Sequence, residues 1–180
     1  MLTILRRISR LTRDSRGVSA VEFALLAPVM LGLYFGCAEV ATGVGTDRKV
    51  SLISAALANL TAQATSISTT DMSNILDASS AIISPYDSTK LKMTVTCIKI
   101  DGSKNATVKW SVTRGGTANT GTISIPSALA VANSWLILSQ ASYAYTPTVG
   151  YTISGTLTLS DQMYMTPRIS PPTYGTTACT

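Results

Sequence analysis

Apolar residues change their spacing along this chain, and each spacing predicts a different element. From Val18 to Ala38 the run is 21 residues long with Glu22 as its only charge. At about 1.5 Å per residue a helix of that length spans roughly 31 Å, the thickness of a hydrocarbon core. This predicts a transmembrane helix, drawn at 18–46 with its exit turns, behind a short leader at 1–17. Val50, Ile53, Leu57, Leu60 and Ala64 then fall at three-four spacing, with Ser51, Asn59 and Gln63 off the stripe. That is the pattern of an amphipathic helix continuing the anchor. A second helix is expected from about Thr70, capped by Asp71. Its inner face carries Met72, Ile75, Leu76, Ser79, Ile82 and Ile83, and Ser84-Pro85-Tyr86 ends the helical region 47–85.

Strand patterns occupy 86–163. Leu91, Met93, Val95 and Cys97 alternate with polar neighbours before the apolar phase slips to Ile98 and Ile100, which predicts a bulge or a strand edge near Cys97. Asp101-Gly102 signals a hairpin into the alternating Val108, Trp110 and Val112. A Gly-rich loop at 115–121 has no lysine behind it and opens no helix, so it lacks the pattern of a phosphate cradle. A short helix is expected from Ile125-Pro126-Ser127 through Val131. Two more strands are expected at Trp135–Tyr145 and Tyr151–Leu159, the latter with a hydroxyl row (Thr152, Ser154, Thr156, Thr158, Ser160) that reads as a solvated sheet face. Prolines and turn residues make 164–180 an extended tail. The fold class is α+β: a membrane helix, its amphipathic continuation and a small antiparallel head.

Composition sharpens this picture in two ways. Only 13% of residues are charged while 46% are apolar, and serine and threonine together number 48. A core can therefore form, and the polar surface is largely hydroxyl. The net charge of +5 belongs mostly to the leader, where Arg6, Arg7, Arg10, Arg13 and Arg16 face only Asp14. The rest of the chain is nearly neutral, so a basic nucleic-acid-binding face is not expected. Arginines before an apolar run instead set topology by the positive-inside rule, with the leader cytoplasmic and the remainder exported. A cleaved secretory signal would have a shorter apolar run and a better cleavage site than Cys37-Ala38-Glu39. A lipoprotein signal at Gly36-Cys37 is disfavoured by the bulk of Tyr34 and Phe35.

Glu22 is the chemically informative residue. A carboxylate one turn inside an apolar helix is costly without a partner. A cut between Gly17 and Val18 would create a new amine at Val18, four residues from Glu22 on the same helical face. Glu22 could pair with that amine, or with the amine of a neighbouring subunit and so set helix register. The string Gly17-Val18-Ser19-Ala20-Val21-Glu22-Phe23-Ala24-Leu25-Leu26-Ala27-Pro28 resembles type IV prepilin-like proteins, and closely resembles the TadE/TadG-like proteins of the bacterial Tad (Flp) pilus apparatus. The likeness covers about residues 13–50 and includes Gly17, Glu22, Phe23, Ala24 and Pro28.

The resemblance implies a pilin-like head, a pseudopilin-like role in pilus assembly or initiation, and partners among other pilus components at the inner membrane. It also implies a prepilin peptidase as processing enzyme, although some members of the family keep the segment as a plain anchor. In that alternative the protein is a permanently anchored scaffold or surface-binding protein, and Glu22 snorkels toward the interface.

Catalytic chemistry is poorly supplied. Histidine is absent, which removes the usual base for a cysteine nucleophile and the commonest zinc ligand. Neither a cofactor nor a small-molecule substrate is expected, and the aspartates Asp71, Asp77, Asp87, Asp101 and Asp161 are read as caps and turns. Of the 3 cysteines, Cys37 falls in the membrane span. Cys97 and Cys179 are left outside, where they either form a disulfide that ties down the tail or remain separate thiols.

Overall fold

The structure, a computed structural model, describes residues 17–147 and 155–180. It has the α+β plan: a long apolar N-terminal helix followed by a small antiparallel sheet. Helix α1, Val18–Gln63, runs without a break through Pro28. Strand β1 (Ser66–Ile67) and helix α2 (Thr69–Ser80) follow. The sheet comprises β2 (Leu91–Ile100), β3 (Ala106–Arg114), β4 (Ser134–Tyr145) and β5 (Leu157–Met165), in the order β3-β2-β4-β5. Strand β6 (Thr173–Tyr174) pairs in parallel with β1.

One half of α1 makes the head's core. Its buried residues are Glu39, Gly43, Thr46, Val50, Ile53, Ser54, Leu57, Ala58, Thr61 and Ala62. They lie over β4 and β5, and Val50, Ile53 and Leu57 share a cluster with Met93, Val95, Ile137, Tyr143 and Tyr145. Burying each such aliphatic side chain contributes about 1.5–3 kcal/mol. The expected stripe is corrected at one position. Leu60 is exposed and Thr61 is buried, because a period of 3.6 residues carries the face from Leu57 to Thr61.

Helix α2 begins one residue earlier than expected and with a different cap. Ser68 is the N-cap and Asp71 the reciprocal member of a capping box. Met72, Leu76 and Ser79 are its buried face, joined by Ile83 from the 3-10 turn Ala81–Ile83. The short helix expected through Val131 is only a 3-10 turn, Ser127–Leu129.

A bulge does lie at Cys97 and Ile98 in the pairing of β2 with β3, but its extra residue is Lys109 of β3, and β2 itself alternates without a slip. Ahead of it Met93, Val95 and Cys97 join the core under α1. Beyond it Ile98 and Ile100 join Ala106, Leu136 and Leu138 in a separate cluster, over which Ile123, Ile125 and Leu129 pack. The outer face of the sheet is therefore partly a second core, while Thr156, Thr158 and Ser160 of the expected hydroxyl row are exposed and Thr152 and Ser154 lie outside the described residues.

The last strand is also displaced from its expected place. Tyr151 and Ile153 lie outside the described residues, and β5 starts at Leu157 and continues to Met165, with Tyr143 opposite Leu159 and Ile137 opposite Met165. Asp161 sits mid-strand opposite Ala141 rather than in a turn, and Tyr164 is strand rather than tail. Strand β5 is at the sheet edge, where a charged side chain is tolerated and discourages edge pairing.

Stability of the head can be followed through Trp110 and Trp135, the only tryptophans. Leu57→Ala should destabilise it by about 3 kcal/mol, whereas Leu52→Ala, at an exposed site, should change it by less than about 0.5 kcal/mol. Denaturant titration of tryptophan fluorescence makes the comparison, and equal losses would contradict the packing.

Acid should act through the turn carboxylates. Asp71 is held below the usual carboxylate range by the Ser68 hydroxyl and N–H. Asp87 is lowered by the Thr89 hydroxyl and N–H, and Asp101 by the Asn105 N–H and carboxamide. A lowered folded-state value means that the stabilisation is complete above the unfolded value, about pH 4, and is lost as pH falls through the folded value. Asp101→Asn should therefore flatten the acid limb of a pH–stability curve. An unaltered limb would remove Asp101 from this role.

Candidate functional site

Among the described residues, the segment Val18–Ala38 is exposed except at the half-buried Ala27 and Gly36. Val18, Val21, Phe23, Leu25, Leu26 and Leu33 are between 53% and 71% exposed, in a helix long and apolar enough to cross a membrane. Apolar side chains displayed all round a helix match a lipid or helical environment rather than water. Pro28 lies within the helix, so its ring removes one backbone donor. Cys37 is a free, exposed thiol on the same segment.

Gly17 stands immediately before this helix, with φ −80° and ψ −20° and no side-chain cap. A Cβ there would meet nothing within 4 Å, so the approach to the Gly17–Val18 bond is open. The first helical turn holds no acidic residue. Glu22 and Phe23 follow one turn later, both exposed. Four residues separate Val18 from Glu22, which sets them on one helical face. Among the described residues Glu22 makes no ion pair. The five arginines Arg6, Arg7, Arg10, Arg13 and Arg16 lie outside the described residues.

At Glu39 the helix changes surroundings. Glu39 is buried, its backbone carbonyl accepts from the Thr42 hydroxyl at 2.8 Å, and Thr42 Oγ1 bonds the Tyr145 hydroxyl at 3.0 Å. Gly43 faces the Tyr145 ring, with its Cβ position 3.8 Å from the ring edge. One turn on, Lys49 donates to the Ser84 carbonyl and its ammonium stands 5.2 Å from the centre of the Tyr86 ring. Sequence reasoning missed this junction because a buried Glu, Gly and Thr do not register as an apolar stripe. The spacing was nevertheless visible: positions 39, 43, 46, 50, 53 and 57 alternate steps of four and three.

The far end of α1 is tied to the tail. Arg168 N–H donates to the Ala62 carbonyl at 2.9 Å, and its guanidinium to Asn59 Oδ1 at 2.8 Å. Trp110 Nε1–H donates to the Pro172 carbonyl at 3.0 Å. Beyond β6 the chain reaches Cys179, bonded to Cys97 of β2 with Cα atoms 6.0 Å apart and both residues fully buried. Among the described residues no cluster of three His, Cys, Asp or Glu side chains is placed to hold a metal.

A family model for TadE-like proteins matches residues 17–58. The match covers the open Gly17, the exposed apolar segment and the first turns that pack on the head. The resemblance read from the N-terminal string is thus found on the same residues. No curated protein and no solved structure matches the chain. The TadE-like family implies a component associated with the Tad pilus, and such components are structural proteins rather than enzymes.

Removing the crosslink between residues 82 apart should destabilise the head by about 4 kcal/mol on the chain-entropy account. The expected result for Cys97→Ala with Cys179→Ala is a lower denaturation midpoint and faster proteolysis after Gly175, with cleavage rates upstream of residue 165 much less affected. Unchanged stability would mean that the turn at β6 and the Trp110 contact suffice.

Proposed function

We propose that this protein is a single-pass inner-membrane component that acts in assembly or initiation of a Tad-type pilus, after removal of its basic leader. The TadE-like match beginning at Gly17, directly before a helix whose first half is apolar and without a buried residue, is the observation that carries this reading. The arginine leader is cytoplasmic and the head lies on the exported side, as the charge bias directs. A prepilin peptidase cuts between Gly17 and Val18. The new amine at Val18 then supplies a positive partner for Glu22, in the same chain or in a neighbouring one. Pairing lowers the cost of a carboxylate inside the bilayer and sets the axial position of one helix against another. Phe23 and the apolar residues around it provide the packing surface, while α1 beyond Glu39 carries the head rigidly.

The test is the N-terminal residue of the protein recovered from membranes of its native host, read by intact-mass and peptide mass spectrometry. A chain beginning at Val18 is the expected result. A chain that keeps Met1 and the arginines would contradict processing and favour a permanently anchored scaffold. For the register role, Glu22→Gln should leave the protein in the membrane and the head folded while lowering surface pili at least tenfold, counted by electron microscopy. Wild-type piliation in that variant would remove Glu22 from the mechanism.

A further inference from the structure

On the sheet face away from α1 lies a cleft of about 610 Å³ that the pilus role does not use. Its floor is made by residues opposite one another on adjacent strands: Lys92 by Ser142, Gln140 by Gln162, and Ser142 by Ser160. Its wall is the loop after β3. Gly115 there has φ +72°, and Gly116 comes so close to β2 and β3 that a Cβ would lie 3.0 Å from Thr113 Oγ1 and 3.4 Å from Thr94 Oγ1. Asn119 fixes the loop on the sheet. Its carboxamide N–H groups donate to Thr96 Oγ1 and Gln140 Oε1, both at 2.9 Å, and its backbone N–H donates to Ser111 Oγ at 3.1 Å. The cleft is thus built before any ligand arrives, which reduces the ordering cost of binding.

From this lining we infer that the cleft binds a neutral, hydroxyl-rich oligosaccharide. Hydroxyls and carboxamides both donate and accept, which suits a ring of vicinal hydroxyl groups. Lys92 adds a donor, whereas Asp161, opposite Ala141 and in phase with Leu159 on the α1 side of β5, lines the cleft through its backbone. The described lining therefore carries a single charged side chain and offers little field for a polyanion. An apolar ligand would find no aromatic or large aliphatic side chain among the lining residues. With no aromatic platform, affinity is modest, with Kd on the order of 1 mM.

The test uses the full chain in lipid nanodiscs, with saturation-transfer NMR on chitotetraose as the probe. Chitotetraose is chosen because its acetamido groups can meet the Gln140–Gln162 carboxamides. Maltotetraose serves as a second neutral sugar and a hyaluronate hexasaccharide as the anionic one. Transfer to the neutral sugars is expected from the parent protein, at least fivefold weaker in Ser160→Ala with Gln162→Ala, and absent in Ser142→Trp, which fills the cleft. Thr158→Ala, on the same strand but outside the lining, should bind as the parent does. A parent-like far-UV circular dichroism spectrum qualifies each variant as folded, and the double alanine variant decides the matter if the tryptophan variant does not fold. No transfer from the parent, equal transfer in the double variant, or tighter binding of hyaluronate would each overturn the assignment.

Discussion

A single helix has to satisfy two different surroundings, and the head is arranged around the point where it passes from one to the other. Through Ala38 no residue of α1 is buried, while from Glu39 onward one face of it is covered by β4 and β5. The change occurs at small and polar residues rather than large apolar ones. Gly43 lets the Tyr145 ring approach the helix, and Thr42 gives the Tyr145 hydroxyl a partner. A tyrosine buried at its ring and bonded at its tip suits a boundary between an apolar and a wet environment. Once that contact fixes the helix on the sheet, Val50, Ile53 and Leu57 fall into the core by periodicity alone.

The second organising feature is a change in which face of β2 is apolar. Side chains alternate along β2 without a break, so Met93, Val95 and Cys97 face α1 while Thr94, Thr96, Ile98 and Ile100 share the other side. Beyond Cys97 the large apolar residues of β2 therefore include Ile98 and Ile100 on the far side, where α1 cannot cover them. The long segment between β3 and β4 covers them instead, through Ile123, Ile125 and Leu129. The same segment begins with the Gly115–Asn119 loop that walls the polar cleft. A switch of the apolar residues from one face of β2 to the other therefore goes with a second core, a loop to cover it and a preformed cleft beside it.

The sequence was readable where a single physical signal dominated. A long apolar run, a period of 3.6 residues and a broken alternation located the span, the helix stripe and the place where the apolar residues of β2 change face. It was misleading where two signals competed. Asp161 followed by Gln162 resembles a turn, but at an edge strand the carboxylate can remain near water, so β5 continued to Met165. Asp71 resembles a cap, yet Ser68 three residues earlier holds that position because its hydroxyl reaches the Asp71 N–H at 3.1 Å. Glu39 and Asn119 gave no local signal. Their places depend on contacts with residues far along the chain, Tyr145 beside the turn after Glu39 and Gln140 at the Asn119 carboxamide, and no pattern of neighbours encodes those.

The tail completes the argument about the helix. A free helix C-terminus would leave carbonyls unsatisfied where α1 ends against the head. Arg168 N–H takes the Ala62 carbonyl, Thr173 N–H takes that of Thr65, and Gly175 N–H takes that of Ile67. The last turn of α1 and the strand after it are thus hydrogen-bonded to a segment more than a hundred residues later in the chain. Cys179 then joins that segment to Cys97, in the middle of the sheet. A load applied to α1 from the apolar end would reach the sheet by two routes: side-chain packing from Glu39 to Ala62, and the tail's hydrogen bonds and crosslink at the far end. Shear between helix and sheet would have to disrupt both together, which suits a head carried on a helix whose other half is gripped by a membrane or by neighbouring helices.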